Sequence, residues 1–297
     1  MEQNQYGTRP IFNGDDRQKA DIIRESRWCR FSELSSGELR DLAVVWSFYS
    51  GKIEGNTYTY VETETLLKDD ISATKKYEDA VMLKNLYNAF ISVIESIRKQ
   101  GPLTVDARTV MTVHSMISDK LMADSHRGTL RSMPVRISGT AYTPPADQQV
   151  IEETFHAILQ GQHSYDDPLE RAVYLHCNLA RLQPFADGQP TTSRAQSSCR
   201  HGLCRGAKEE GAANKRTSRL IEAITLMNGD IVPVYSSDAT DIAAYRQGLV
   251  HYYETGDFSA YKDYFLDRQL RRVLSILPES EQNVRNRIGN LLHTDMD

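Results

Sequence analysis

Apolar side chains recur at helical spacing along most of this 297-residue chain, and no other feature constrains its fold as much. Leu83, Leu86 with Tyr87, Phe90, Ile94 and Ile97 line one face of a segment that stops at Gly101-Pro102. Val110, Val113 with His114, Ile117 and Leu121 form a second stripe, starting near Thr104. Ile151, Phe155 and Ile158 with Leu159 follow Pro144-Pro145 and a capping residue at Asp147. Ala172, Leu175, Leu179 and Leu182 follow Asp167-Pro168, an N-cap with proline at the first helical position. Ile242, Tyr245, Leu249 and Tyr252 follow a cap at Asp238, and Tyr261, Phe265, Leu270 and Leu274 precede Pro278. With 17 glycines and 10 prolines the chain is poor in turn formers. A mainly α fold is the expectation.

Two segments leave this period. Val135-Arg136-Ile137-Ser138-Gly139 alternates with period two and runs into Thr140-Ala141-Tyr142-Thr143-Pro144, which predicts a short β-hairpin. Residues 189–213 contain no aromatic residue and one large aliphatic, Leu203, so they cannot supply a core face. A solvated loop of that length inside a compact domain is unusual.

Charge and composition exclude several functions. Hydrophobic residues make up 40% and charged residues 25%, the balance of a globular chain. The net charge of −5 provides no basic field for nucleic acid. No apolar run reaches the roughly 18 residues of a membrane helix. The polar stretch Met1 to Asp16 has no signal-peptide pattern, so no membrane partner and a cytoplasmic location are expected. Four cysteines, Cys29, Cys177, Cys199 and Cys204, do not make a disulfide framework. Cys199, His201 and Cys204 offer three metal ligands without a fourth nearby, and their spacing is not that of a zinc ribbon. His114 and His176 sit inside apolar stripes and read as core histidines.

The residues that carry chemistry flank the loop. Gln183-Pro184-Phe185-Ala186-Asp187-Gly188 ends the helix that begins near Pro168, and Asn214-Lys215-Arg216-Thr217-Ser218-Arg219 opens the stripe Leu220, Ile221, Ile224, Met227. A glycine-containing turn that opens a helix presents unpaired backbone N–H groups to an anion. Asp187 is placed to hold a hard cation such as Mg²⁺ against phosphates. Arg216 and Arg219 lie three apart and can reach one anion together. Taken alone, so short a motif fits equally well an ordinary cap with a solvated arginine face.

Joined, the two blocks read QPFADG and NKRTSR, which resembles the Fic (Fido) motif HPFxDGN(G/K)RxxR. Ser50-Gly51-Lys52-Ile53-Glu54-Gly55-Asn56 resembles the family's inhibitory motif (S/T)xxxE(G/N), and Val135 to Pro145 looks like its target-docking flap. Ile231-Val232-Pro233-Val234-Tyr235 and the helices through Arg272 are similar to the carboxy-terminal part of Fic proteins that carry an amino-terminal inhibitory helix. The resemblance implies an inhibitory region over 1–75, a Fic core over 76–275 interrupted by the insert 189–213, and a tail over 276–297. It implies AMP transfer from ATP, with Mg²⁺, to a hydroxyl of a target protein, which could be the chain itself, and it allows a homo-oligomer. Carried over, Asp187 would hold Mg²⁺, and Gly188, Asn214, Lys215, Arg216 and Arg219 would hold the nucleotide. Ser50, Glu54 and Gly55 would inhibit, with Glu54 pairing Arg219. Arg136, Ile137, Ser138, Gly139 and Tyr142 would dock the target.

This chain departs from the motif twice. The base position holds Gln183, and a carboxamide cannot accept the hydroxyl proton. The insert separates Gly188 from Asn214. A contiguous alignment through Gln189 to Arg194 would lose both the Asn and the first Arg, and no apolar helix follows it. Closing a loop of this length costs about 3 kcal/mol, so the fold survives it. A phosphate turn needs its N–H groups convergent, so weakened or abolished triphosphate binding is expected. Two functions stay open: an autoinhibited and impaired adenylyltransferase, or a catalytically dead Fic-fold module that binds a nucleotide or partner.

Overall fold

The computed structural model describes residues 6–186 and 212–293. Among them, eleven α-helices carry the architecture: α1 (Gly14–Glu25), α2 (Ser36–Ile53), α3 (Tyr60–Asp69), α4 (Tyr77–Gln100), α5 (Ala107–Ile117), α6 (Gln148–Gly161), α7 (Pro168–Leu182), α8 (Ala212–Asn228), α9 (Ala239–Thr255), α10 (Ser259–Ile276) and α11 (Gln282–His293). The expected mainly α fold is what forms.

The caps follow from the sequence. Asp147, Asp167 and Asp238 each accept backbone N–H groups from the first turn of α6, α7 and α9, and Pro168 occupies the first turn of α7. α2 and α3 begin with capping boxes, Ser35 with Glu38 and Thr59 with Glu62. α5 starts later than its stripe suggests. Asp106 caps it, and the helix ends at Ile117, short of Leu121.

α7 is the central element. Residues from Leu169 to Leu182 are buried with few breaks, among them Tyr174, Leu175, His176, Cys177 and Leu179 in near succession. A helix covered on all sides shows a weaker single stripe than one lying on a surface. One apolar core, including Trp46, Phe90, Val113, Phe155, Leu179 and Ile224, joins α2, α4, α5, α6, α7 and α8. A second, including Ile23, Val173, Leu249, Leu266 and Ile288, joins α1, α7, α9, α10 and α11. The segment after α8 is tied to the amino-terminal region: Val232 N–H donates to Cys29 O, and Trp46 Nε1 donates to Pro233 O.

The β-hairpin expected at 135–145 does not form. No strands pair there, and the β-contacts among the described residues are two isolated bridges, Arg30 with Ile231 and Leu130 with Phe185. The segment's polar groups are instead held by side chains outside it. Arg131 takes Pro145 O, while Thr140 Oγ1 and Ala141 N–H donate to Glu254. Alternation in so short a run reports burial of Ile137, not a cross-strand partner.

Adjacent residues on α6 provide a test of this packing. Ile151 is fully buried and its neighbour Val150 is 45% exposed. Ile151→Ala should cost about 2–5 kcal/mol in denaturant unfolding. Val150→Ala should stay within about 0.5 kcal/mol of the parent.

Candidate functional site

The two blocks that flank the insert meet. Phe185 N–H donates to Asn214 Oδ1, and Asn214 Nδ2 donates back to Phe185 O, both at 2.9 Å. The Phe185 ring lies flat on His114, with centroids 4.0 Å apart, and edge-on to Phe155 at 6.3 Å. The segment beginning at Asn214 therefore packs directly against the end of the first block. Asp187 and Gly188, expected to hold metal and phosphate, lie outside the described residues, as do Cys199, His201 and Cys204. Among the described residues no three His, Cys, Asp or Glu side chains converge as a metal site.

Gln183 ends α7 in the left-handed region, at φ 49°, with its N–H bonded to Leu179 O. Its side chain is fully buried and donates through Nε2 to Ala180 O at 2.6 Å. It is an internal cap for its own helix. Arg131 fixes this turn: Nε donates to Gln183 O at 2.6 Å, Nη2 to Leu182 O and Pro145 O, and Nη1 to Met133 O. One buried guanidinium thus ties both ends of the flap segment to the end of α7.

α8 brings the cations. Arg216 and Arg219 are buried, and Lys215 faces a cavity. Arg219 Nη2 donates to Glu54 Oε1 at 2.6 Å, and both side chains are 1% exposed. Arg219 Nε donates to Ser50 Oγ at 3.1 Å, and Nη1 donates to Tyr245 Oη at 2.9 Å. Burial opposes the Arg219 charge, and the oxygens of Tyr245 and Glu54 outweigh it and hold the group protonated. Glu54 is the last residue of the α2 turn. Gly55 follows at φ 79°, and its N–H and that of Asn56 close back onto Lys52 O and Gly51 O. Only a residue that tolerates positive φ makes this Schellman turn cheaply.

The cavity, of about 280 Å³, lies between the end of α2, the flap and α9. Its apolar wall includes Ile53, Ile137, Leu249, Val250 and Tyr253, and its polar groups include Glu54, Lys215 and Arg246. Of the flap residues, Ile137 is buried here, Arg136, Ser138 and Gly139 are exposed, and Tyr142 is half-buried with the Arg181 guanidinium 4.5 Å above its ring. Glu254, accepting from Ala141 and Thr140, is held below the usual carboxylate range by those bonds. An apolar cavity whose lining includes Lys215 and Arg246 suits a planar group attached to an anionic tail.

Arg131 and Arg246, which donates to Ile53 O at 2.5 Å, escaped sequence reasoning because an isolated arginine between elements, or on a solvated face, carries no periodic signal. His176 and Tyr245 stood in apolar stripes and read as packing.

Residues 104–196 match the family model described as Fic/DOC family. The chain carries a Fic/DOC-family domain. It is similar to the protein adenylyltransferase Fic of Drosophila persimilis, 25% identical over 151 residues, and to that of Culex quinquefasciatus, 22% over 153. Both alignments cover 50% of this chain and 29% of the relative, so the chain spans about three tenths of the curated relatives it matches. Among solved structures it superposes on Fic-1 (residues 134–508) from C. elegans with TM-score 0.65 at 18% identity, covering 88% of this chain and 69% of that one. A Fic domain containing signaling protein from Bacteroides thetaiotaomicron gives TM-score 0.61 at 17% identity, covering 88% and 96%. These structures establish a Fic-type fold. The family match stops at 196, inside the insert, whereas the structure seats Asn214 on Phe185.

His114 bears a pH prediction. Burial, then the charges of Arg216 and Arg127, push its pKa down to about 3, and Nδ1 already accepts the Gly128 N–H. The unfolded chain, with this histidine near 6.5, binds the extra proton first. The His114 contribution is therefore complete above about 6.5 and is lost progressively as pH falls toward about 3. Denaturant midpoints measured downward from neutral pH should fall in the parent, and His114→Gln should flatten that slope.

Proposed function

We propose that this chain is a Fic-type nucleotide-binding protein built for AMP transfer from ATP to a protein hydroxyl, and that Glu54 holds it closed. The single observation that carries the reading is the buried contact between Glu54 and Arg219. It joins the end of the helix bearing the inhibitory motif to the last arginine of the Fic motif, across 165 residues of sequence. Glu54 Oε1 occupies the Arg219 Nη2 position that an anionic tail would need. Glu54 also borders the cavity, with Lys215 beside it, so a base and sugar in the slot would direct phosphates toward the start of α8. Mg²⁺ would sit on Asp187, where it would neutralise phosphate charge.

A second reading has its own observation. Gln183 is turned inward onto Ala180 O and has no basic atom, so it neither accepts a proton nor reaches a target hydroxyl. Transfer by this chain then proceeds without a side-chain base at that position, and nucleotide or partner binding without turnover is the limiting case. A positioned base contributes roughly 10²–10⁴-fold.

Calorimetric titration with ATP and Mg²⁺ tests both. Glu54→Gly should bind ATP at least about tenfold more tightly than the parent, a difference of about 1.4 kcal/mol. Equal affinity, or no binding by either protein, would sink the Glu54 reading. In that background Gln183→His should raise AMP labelling by roughly 10²–10⁴-fold. Labelling that stays at the Gln183 level would favour the module that binds without turnover.

A further inference from the structure

On its other terminal nitrogen Arg219 enters a line of polar groups that the reading above leaves without a role. Arg219 Nη1 donates to Tyr245 Oη at 2.9 Å, and Tyr245 Oη lies 3.2 Å from His176 Nε2. His176 Nδ1 lies 3.2 Å from Glu222 Oε2, at ion-pair distance without the alignment of a full hydrogen bond. Tyr261 OH donates to the same Glu222 oxygen at 2.6 Å. The His176 ring stacks on Tyr261 at 4.8 Å and stands edge-on to Tyr245 at 5.7 Å. None of these five residues is more than 4% exposed, and they come from α7, α8, α9 and α10.

The protons in this line can be assigned. A guanidinium has donors and no acceptor, so Tyr245 Oη must accept from Arg219. The phenol then has one proton of its own to give, and in the order proposed below it goes to the ring nitrogen 3.2 Å away. An accepting Nε2 puts the imidazole proton on Nδ1, facing the Glu222 carboxylate. The donors run from Arg219 through Tyr245 to His176, and Glu222 lies beside His176 Nδ1 and accepts from Tyr261 at the far end.

We propose that His176 and Glu222 are positioning residues that, through Tyr245, fix the plane of the Arg219 guanidinium independently of Glu54. The proposal rests on the nucleotide reading above for what Arg219 then binds. Nη1 is tied to Tyr245 and Nε to Ser50 Oγ, so when Glu54 leaves, Nη2 keeps only its long 3.4 Å bond to Ser50 O while the planar group keeps its direction. An arginine aimed in advance loses less freedom when a terminal phosphate arrives. A packed aromatic cluster with a histidine in it would need none of this proton order.

Two measurements on the full chain test it. Long-range ¹H–¹⁵N correlation at mildly alkaline pH reads the His176 tautomer without any nucleotide. A neutral ring with the proton on Nδ1 supports the relay; a proton on Nε2, or on both nitrogens, overturns it. In the Glu54→Gly protein, Tyr245→Phe keeps the ring and removes the hydroxyl. It should weaken ATP roughly tenfold, the scale of one net hydrogen bond, and leave ADP, which lacks the terminal phosphate, unchanged. An unchanged ratio of ATP to ADP affinity overturns the relay. If Glu54→Gly binds neither nucleotide, the nucleotide reading fails instead, and the tautomer still decides whether the relay exists. A Tyr245→Phe protein that does not fold leaves the decision with the same spectrum.

Discussion

The paired hydrogen bonds between Asn214 and Phe185 hold the molecule's two central helices in register. α7 ends just before Phe185 and α8 begins just before Asn214, and both apolar cores draw on these two helices. Every functional placement follows from that junction. Arg216 and Arg219 point where they do because α8 starts against the end of α7, and Phe185 is clamped between His114 and Phe155. Arg131 adds the flap segment to the same point by bonding carbonyls at its two ends and at the end of α7. The side-chain amide mimics a strand partner: one donor and one acceptor facing one backbone residue. Such a contact is local, so it forms regardless of how much chain lies between its two sides. Loop closure grows only with the logarithm of length, and this explains in energetic terms how the insert coexists with the junction.

The sequence made the helices legible because their stripes and caps are local. Asp147, Asp167 and Asp238 each do what an aspartate before an apolar period does. The flap was misread as a hairpin because alternation in residues 135–139 records that Ile137 faces inward, and period two is shared by any extended segment lying on a core. Helix α11 was invisible for the opposite reason. Its stripe of Val284, Ile288, Leu291 and Leu292 is short and set among polar residues, and its burial depends on α1, distant in sequence, as well as on the neighbouring α10. Site residues divided along the same line. Glu54 and Arg219 were readable from the motifs that carry them. Arg131 and Arg246 were not, because their partners are backbone carbonyls, which have no sequence identity.

The Glu54 to Arg219 contact is poorly explained as a stabilising device. Taking both charges out of water costs several kcal/mol per ion, and the attraction repays this only when the remaining lone pairs are satisfied. Glu54 Oε2 is buried with no hydrogen-bond partner among the described residues, so that condition is not met. A well-packed apolar pair would serve the fold as well or better. What an ion pair offers, and an apolar pair does not, is the ability to be exchanged for another anion. The half-satisfied carboxylate borders the cavity, where a competing anion would meet the same guanidinium.

Arg219 divides this work between its nitrogens. Nη2 meets Glu54 closely and Ser50 O at 3.4 Å, while Nη1 and Nε meet Tyr245 and Ser50 Oγ. Ser50 lies one turn before Glu54, so the end of α2 presents both a carboxylate and a hydroxyl to the arginine. Loss of the Glu54 carboxylate alone leaves Ser50 in place, whereas withdrawal of the whole helix end would leave Tyr245 as the remaining side-chain tie. The two ways of removing Glu54 from the arginine are therefore chemically different. One keeps the guanidinium anchored on two sides, and the other makes its direction depend wholly on the buried line from Tyr245 to Glu222.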